Sequence, residues 1–229
     1  RLSGRGNFLV NTIRNAILRQ FTLDELSQMS IVDVGCYDGW ILHELSDLPF
    51  KRMVGVEPRK KNIEKGKFIR DSLNINSRVE FKCSDINLLD SESFDIVICI
   101  GVIHHLESPS YAIDLISKAA NKFVFIETIC LSSNHQNKAF KKEMEMKDIV
   151  YRYKDKISGM SGQKYESSYY DGSANTLSLV TIPSVNTLIM SMDIKFTNVR
   201  IEADPISYRK AFKKYDRDFQ AVCLSAEVN

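Results

Sequence analysis

The chain has 229 residues, 44% of them apolar, which is enough for one sizeable core and too short for two ordinary domains. Its 31 Lys and Arg against 29 Asp and Glu leave a net charge of +2, so no global electrostatic pull toward DNA, RNA or an anionic membrane exists. With 10 Gly, 5 Pro and no biased tract, long disorder and collagen-like or mucin-like chains are excluded, and the lack of a long apolar run or a cleavable leader argues against membrane spanning and secretion.

Residues 7–21 place Phe8, Leu9, Ile13, Ile17 and Phe21 at helical spacing, which predicts an amphipathic N-terminal helix within the segment 1–25. From 30 to 130 short β-rich runs alternate with helical stretches: SIVDVG, a helix from Trp40, RMVGVE, a helix over 59–72, RVEFKC, SFDIVICIGV, a helix over 109–120, and KFVFIETIC. The near-continuous Val and Ile of IVDV and IVICI suit central strands buried on both faces. Residues 131–178 break the pattern. Helical spacing (Phe140, Met144, Ile149, Val150) gives way to a Gly-, Ser- and Tyr-rich stretch over 159–176, which predicts a helical and loop insertion. A helix over 184–192 and two final β-like runs fill 179–229. The expected fold is α/β, a Rossmann-like, doubly wound, mostly parallel seven-stranded sheet with helices on both faces, in one domain.

Five cysteines, Cys36, Cys83, Cys99, Cys130 and Cys223, stand singly and read as buried free thiols, which implies a reducing, cytoplasmic setting. No H-E-x-x-H or paired C-x-x-C occurs, and His43 and His135 are isolated, so no metal is expected. The turn after the first strand, VDVGCYDGW, offers a Gly-rich approach for a polar ligand. It fits the dinucleotide fingerprint at Gly35 alone, since Tyr37 and Trp40 stand at the other two positions, and no phosphate-binding P-loop is present. Asp33, Glu57 and Asp85 could each do no more than cap a turn.

VDVGCYDGW also resembles motif I of the class I S-adenosylmethionine-dependent methyltransferases, and the resemblance extends in order over residues 30–130. It implies that S-adenosylmethionine is the cofactor, held at this turn by Asp33, Gly35 and Gly39. Tyr37, at the middle-glycine position, would cover the methionine end. It also implies that Glu57, in VGVEP with Pro58, accepts the ribose hydroxyls, and that Asp85 and Ile86 of KCSDI receive the adenine. FDIVICIGVIHHL is similar to the family's motif IV and adds Ile100 to the cofactor wall.

His104 and His105 follow this central strand and are the candidate general bases. On an extended segment they would point to opposite sides, and His105 is favoured. Tyr165, Tyr169 and Tyr170 in the insertion are candidate acceptor contacts on a lid, with Gly159, Gly162 and Gly172 as hinges. The expected activity is methyl transfer to a small molecule or glycan precursor, O-methylation before N-methylation. GVIHHLESP, FIETI and IPSVNTL resemble the tRNA wobble-uridine carboxymethyltransferase group and its small-molecule relatives, so RNA modification is the alternative, with Arg209, Lys210, Lys213, Lys214 and Arg217 as phosphate contacts. A catalytically silent binding protein on the same fold is the third reading.

Overall fold

The computed structural model describes residues 4–75, 78–131, 152–153, 156–157, 159, 161–166, 178–204 and 219–228. Helix α1 (Gly4–Gln20) turns Leu9, Val10, Ile13, Ala16 and Ile17 inward, the stripe that the apolar spacing requires. A single helical turn, α2 (Leu23–Leu26), follows. It is too short to show a period, but a capping box between Thr22 and Glu25 closes it. Then come β1 (Ser30–Val34), α3 (Trp40–Glu44), β2 (Arg52–Val56), α4 (Lys60–Ser72), β3 (Val79–Lys82), β4 (Phe94–Ile100), α5 (Pro109–Ala119) and β5 (Ala120–Leu131). Helix α5 starts where Pro109 presets the first turn and Ser108 Oγ accepts the Tyr111 N–H at 3.2 Å.

Beyond β5 lie two-residue strands β6 (Arg152–Tyr153) and β7 (Lys156–Ile157), then β8 (Ser161–Glu166), β9 (Ser178–Pro183), α6 (Val185–Lys195), β10 (Thr197–Ala203) and β11 (Phe219–Glu227). The main sheet has seven strands in the order β10-β11-β5-β4-β1-β2-β3. Its first five strands pair in parallel, and β11 runs antiparallel to both neighbours. The chain runs from β1 to β2 and β3 on one side, then returns to place β4 on the other. Such a reversal opens a crevice at the carboxyl ends of β1 and β4.

Alternation along each strand splits the core into two layers. Ile31, Met53, Ile96 and Ile98 face Leu9, Ile13, Ile17, Leu42 and Phe50. Val32, Val54, Val97 and Cys99 face Ile113, Ile116, Leu188 and Met192 on α5 and α6. Both faces are covered, which accounts for the unbroken apolar runs of β1 and β4. Each such side chain contributes about 1.5–3 kcal/mol on burial.

Three expectations change. The Gly-, Ser- and Tyr-rich stretch is not all loop: β8 pairs antiparallel with β9, and Val180 and Ile182 are buried on one side of that hairpin. Helical spacing carried the insertion to residue 158, but Arg152–Tyr153 pairs with Lys156–Ile157 as a ribbon, while Phe140, Met144, Ile149 and Val150 lie outside the described residues. Four cysteines are buried free thiols, whereas Cys83, just past the short strand β3, is exposed. No described helix is long and apolar enough to cross a membrane.

Candidate active site

The turn between β1 and α3 is bent by three residues in the left-handed region, Gly35 (φ 75°), Tyr37 (φ 55°) and Gly39 (φ 76°). The N–H groups of Gly35 and Cys36 both donate to the Val56 carbonyl, at 2.8 and 3.0 Å, which ties the turn to the end of β2. A Cβ on Gly35 would sit 2.3 Å from Val102 Cγ2, and one on Gly39 would sit 2.5 Å from the Phe81 ring, so both positions exclude a side chain. Tyr37 carries a left-handed conformation that costs about 1–2 kcal/mol. Its N–H donates to Glu57 Oε2 at 3.2 Å, and its exposed ring lies under Arg59 at 5.6 Å and Lys65 at 5.3 Å. Cation–π contacts of about 0.5–1 kcal/mol each offset much of that strain. The ring is thereby drawn toward α4.

Two carboxylates lie beneath this turn, Asp33 and Glu57, each only 1% exposed. Glu57 follows β2 and is saturated: it accepts from the N–H of Tyr37 and Arg59, from Asn62 Nδ2 at 3.2 Å, and from the Arg59 guanidinium. Asp33 differs. Neither of its oxygens meets a hydrogen-bond donor among the described residues, and burial, then the neighbouring Glu57 charge, holds its carboxyl well above the usual aspartate value. A buried acid in this condition destabilises the fold as pH rises from the unfolded value of 3.8 through its folded one. Asp33→Asn should therefore raise the melting temperature at pH 7 by a few degrees, at about 2–4 °C per kcal/mol for a chain of this size, and the gain should vanish as pH falls to that value. Melting curves of the two proteins across pH check this; an unchanged or lower melting temperature at pH 7 refutes it.

Past β3, Asp85 is exposed and Ile86 is buried. Asp85 does cap a turn, since its Oδ1 accepts the Asn87 N–H at 2.9 Å. Pro58 is exposed nearby, and its carbonyl accepts from the Cys83 thiol. Ile100, at the end of β4, is half-buried beside Gly101 (φ 70°).

His104 and His105 lie on a tight helical turn, Ile103–His105, instead of an extended segment, because the chain must fold back into α5 within four residues. Their rings do not diverge: the centroids are 4.1 Å apart, tilted by 39°. His104 is buried. The Ile129 N–H donates to its Nδ1 at 3.4 Å, which leaves the ring proton on Nε2, and the Thr128 hydroxyl lies 3.1 Å from the same Nδ1. Burial, followed by the charges of His105, Arg5 and Lys164, pushes its pKa well below the usual histidine value, so it is neutral. His105 is half-buried.

Four residues near these histidines escaped the sequence reading. Glu127, fully buried in β5, pairs with Arg5 of α1 at 3.1 Å; Thr128 follows it, and Lys164 lies on β8. The acid inside the apolar run FVFIETI was a usable signal, because a charge in a two-face-buried strand demands a partner. Tyr165 is exposed, and Tyr169 and Tyr170 lie outside the described residues. Gly162 is inside β8, and Gly159 lies against the start of α6, where a Cβ would meet the Thr187 backbone N at 2.2 Å; Gly172 lies outside the described residues. His43 bonds the Asp38 carbonyl at 3.1 Å, His135 is outside the described residues, and no described group of His, Cys, Asp and Glu is arranged to hold a metal.

Residues 25–173 match the family model described as "Methyltransferase domain", well over half of the chain. Among curated proteins, the tRNA U34 carboxymethyltransferase of Campylobacter hominis is 27% identical over 116 residues, covering 49% of this chain and 40% of that protein. The enzyme of the same name from Helicobacter hepaticus is 29% identical over 119 residues, 46% of this chain and 36% of its own. The chain thus aligns with less than half the length of these relatives. The fold is shared with the N-terminal domain of EvdMO1, solved with S-adenosylhomocysteine and D-fucose (TM-score 0.63, 14% identity, 90% of this chain and 79% of that one). It is also shared with the magnesium protoporphyrin IX methyltransferase of Synechocystis PCC 6803 (TM-score 0.60, 12% identity, 99% and 84%).

Proposed function

The chain belongs to the methyltransferase-domain family, and on that premise we propose that it transfers the methyl group of S-adenosylmethionine to a hydroxyl of a small-molecule or glycan acceptor. The observation that carries this reading is the buried pair Asp33 and Glu57 under a left-handed turn at the crevice between β1 and β4. These residues fit the cofactor. Asp33, buried without a donor among the described residues, suits the ammonium of its methionine part, and Glu57 suits the ribose diol once Arg59 and Asn62 yield their places on a carboxylate that offers about four acceptor sites. On this reading Asp85, Ile86, Pro58 and Ile100 receive the adenine, and Gly35, Tyr37 and Gly39 shape the turn.

When bound, the cofactor supplies an electrophilic methyl on a sulfonium that departs as a neutral sulfide. The protein's work is therefore mainly alignment, for which proximity supplies about 7–11 kcal/mol. His105, on the acceptor side, accepts the proton of the attacking hydroxyl. His104, its Nδ1 engaged by Thr128 and Ile129, presents Nε2–H as a fixed donor beside it. The D-fucose in the EvdMO1 structure accords with a hydroxylated acceptor.

The names of the curated relatives favour a second reading, modification of tRNA uridine, over the segment they share with this chain. Calorimetry with S-adenosylhomocysteine tests the cofactor first. Turnover with methyl-labelled cofactor over sugars, small hydroxylated molecules and tRNA then separates the acceptors. We expect saturable binding and label in the small acceptors. Label in tRNA, with affinity falling steeply with salt, would replace the first reading by the second, and no binding of S-adenosylhomocysteine would end both.

A further inference from the structure

Helix α3 has only five residues, and Gly39, at its N-cap, brings no side chain to hold its start. The holding contact comes from inside the helix. His43 reaches back to set Nε2 3.1 Å from the Asp38 carbonyl oxygen, while its backbone N–H donates to the Gly39 carbonyl at 2.9 Å. A carbonyl can only accept, so the ring proton sits on Nε2. Nδ1 is buried with no hydrogen-bond partner among the described residues, so a second proton there would have nothing to bond. Burial, aided by Arg70, holds the His43 pKa below the usual histidine value against the pull of Asp38 and Glu44, and the ring is neutral at pH 7.

Two further elements fix this contact. Phe81 of β3 fills space left by Gly39, Gly55 and Gly66, since a Cβ on any of them would come within 3.0 Å of it, and the His43 ring lies against it at 5.8 Å between centroids. From α4, Gly66 allows a close approach, where a Cβ would also stand 3.0 Å from the Asp38 carbonyl oxygen, and Lys65 pairs with the Asp38 carboxylate at 2.6 Å. Asp38 is thus gripped at its carbonyl by α3 and at its side chain by α4. It lies between Tyr37 and Gly39, two of the left-handed residues that bend the turn. A backbone of this kind persists only where its surroundings impose it.

Resting on the reading of this turn as the cofactor site, we infer that His43 is its positioning residue: the neutral imidazole, through Nε2–H, holds the Asp38 carbonyl and so keeps Tyr37–Gly39 in the shape that receives S-adenosylmethionine. It acts through the backbone of the turn, and its loss is read in cofactor affinity.

Binding of S-adenosylhomocysteine is measured by calorimetry on the unaltered protein and on His43→Leu, His43→Gln and Glu57→Ala. His43→Leu should weaken it about fivefold or more, the loss of one well-placed hydrogen bond, and His43→Gln, whose amide can donate to the same carbonyl, should bind within about twofold of the original. Proton–nitrogen correlation spectra of the imidazoles at pH 7 should show His43 as the neutral Nε2–H tautomer with and without the ligand. The inference is overturned if His43→Leu binds within about twofold of the original, if His43→Gln is as weak as His43→Leu, or if the ring carries its proton on Nδ1. The tautomer decides by itself should His43→Leu not fold. Unaltered protein that does not bind S-adenosylhomocysteine, or that loses nothing in Glu57→Ala, removes the reading of the site and this inference with it. A loss in Glu57→Ala without one in His43→Leu removes the inference alone.

Discussion

Replacing Glu57 by Ala should weaken the binding of S-adenosylhomocysteine about 100-fold. Two ribose hydroxyls donating to a carboxylate contribute about 1.5 kcal/mol or more each, and about 1.4 kcal/mol is a factor of ten. Removing the acid also leaves the Tyr37 N–H, the Asn62 amide and the Arg59 guanidinium without the acceptor that now gathers them, so the turn itself loosens. Arg59→Ala separates the two effects. It clears the carboxylate of a competing cation and should leave binding equal or tighter. Calorimetry on both variants, with melting curves to confirm folding, decides the matter; a Glu57→Ala protein that binds within threefold of the original sinks the assignment.

His105→Ala should lower kcat by roughly 10²- to 10⁴-fold at unchanged S-adenosylhomocysteine affinity, the range expected for loss of a general base. His104→Ala reads out differently because that ring is buried and neutral. Its folded pKa lies below the unfolded value of 6.5, so below 6.5 the unfolded chain takes up a proton that the native one refuses. Native stability accordingly falls as pH drops from 6.5 through the folded value, and His104→Phe flattens that fall. Single-turnover rates for both single variants, with melting temperatures between pH 5 and 8, test the division of roles. If His105→Ala keeps the original rate on a true acceptor, the base lies elsewhere.

Local chemistry made the sheet legible. The runs IVDV and IVICI could be stable only between two helical layers, and VDVGCYDGW could only be a tight turn, because Gly35 and Gly39 adopt a backbone that most residues avoid. Glu57 and Asp33 were legible through the resemblance of VGVEP and VDVGCYDGW to the methyltransferase motifs, since local chemistry alone offered only turn caps, and both lie buried at strand ends. The acceptor side was not. Arg5 and Glu127 are 122 residues apart, and nothing near either one in the chain announces the other. The turn holding His104 and His105 follows from the space between β4 and α5, a tertiary demand without a local pattern. Strand β8 hides in SGQKYE, a polar run with no apolar alternation, and becomes a strand only through its pairing with β9, whose Val180 and Ile182 are buried.

The position of β11 bears on how the molecule is assembled. Phe219–Glu227 pairs with β5 along its whole length and also supplies the hydrogen-bonding partner of β10. While the chain emerges from the ribosome, β5 therefore waits as a bare edge, and β10 has no place in the sheet until these last strand residues arrive. Completion is a late, long-range event that joins both at once. A nascent chain stalled before it would present a sticky border to its neighbours, where holdase chaperones would be expected to engage.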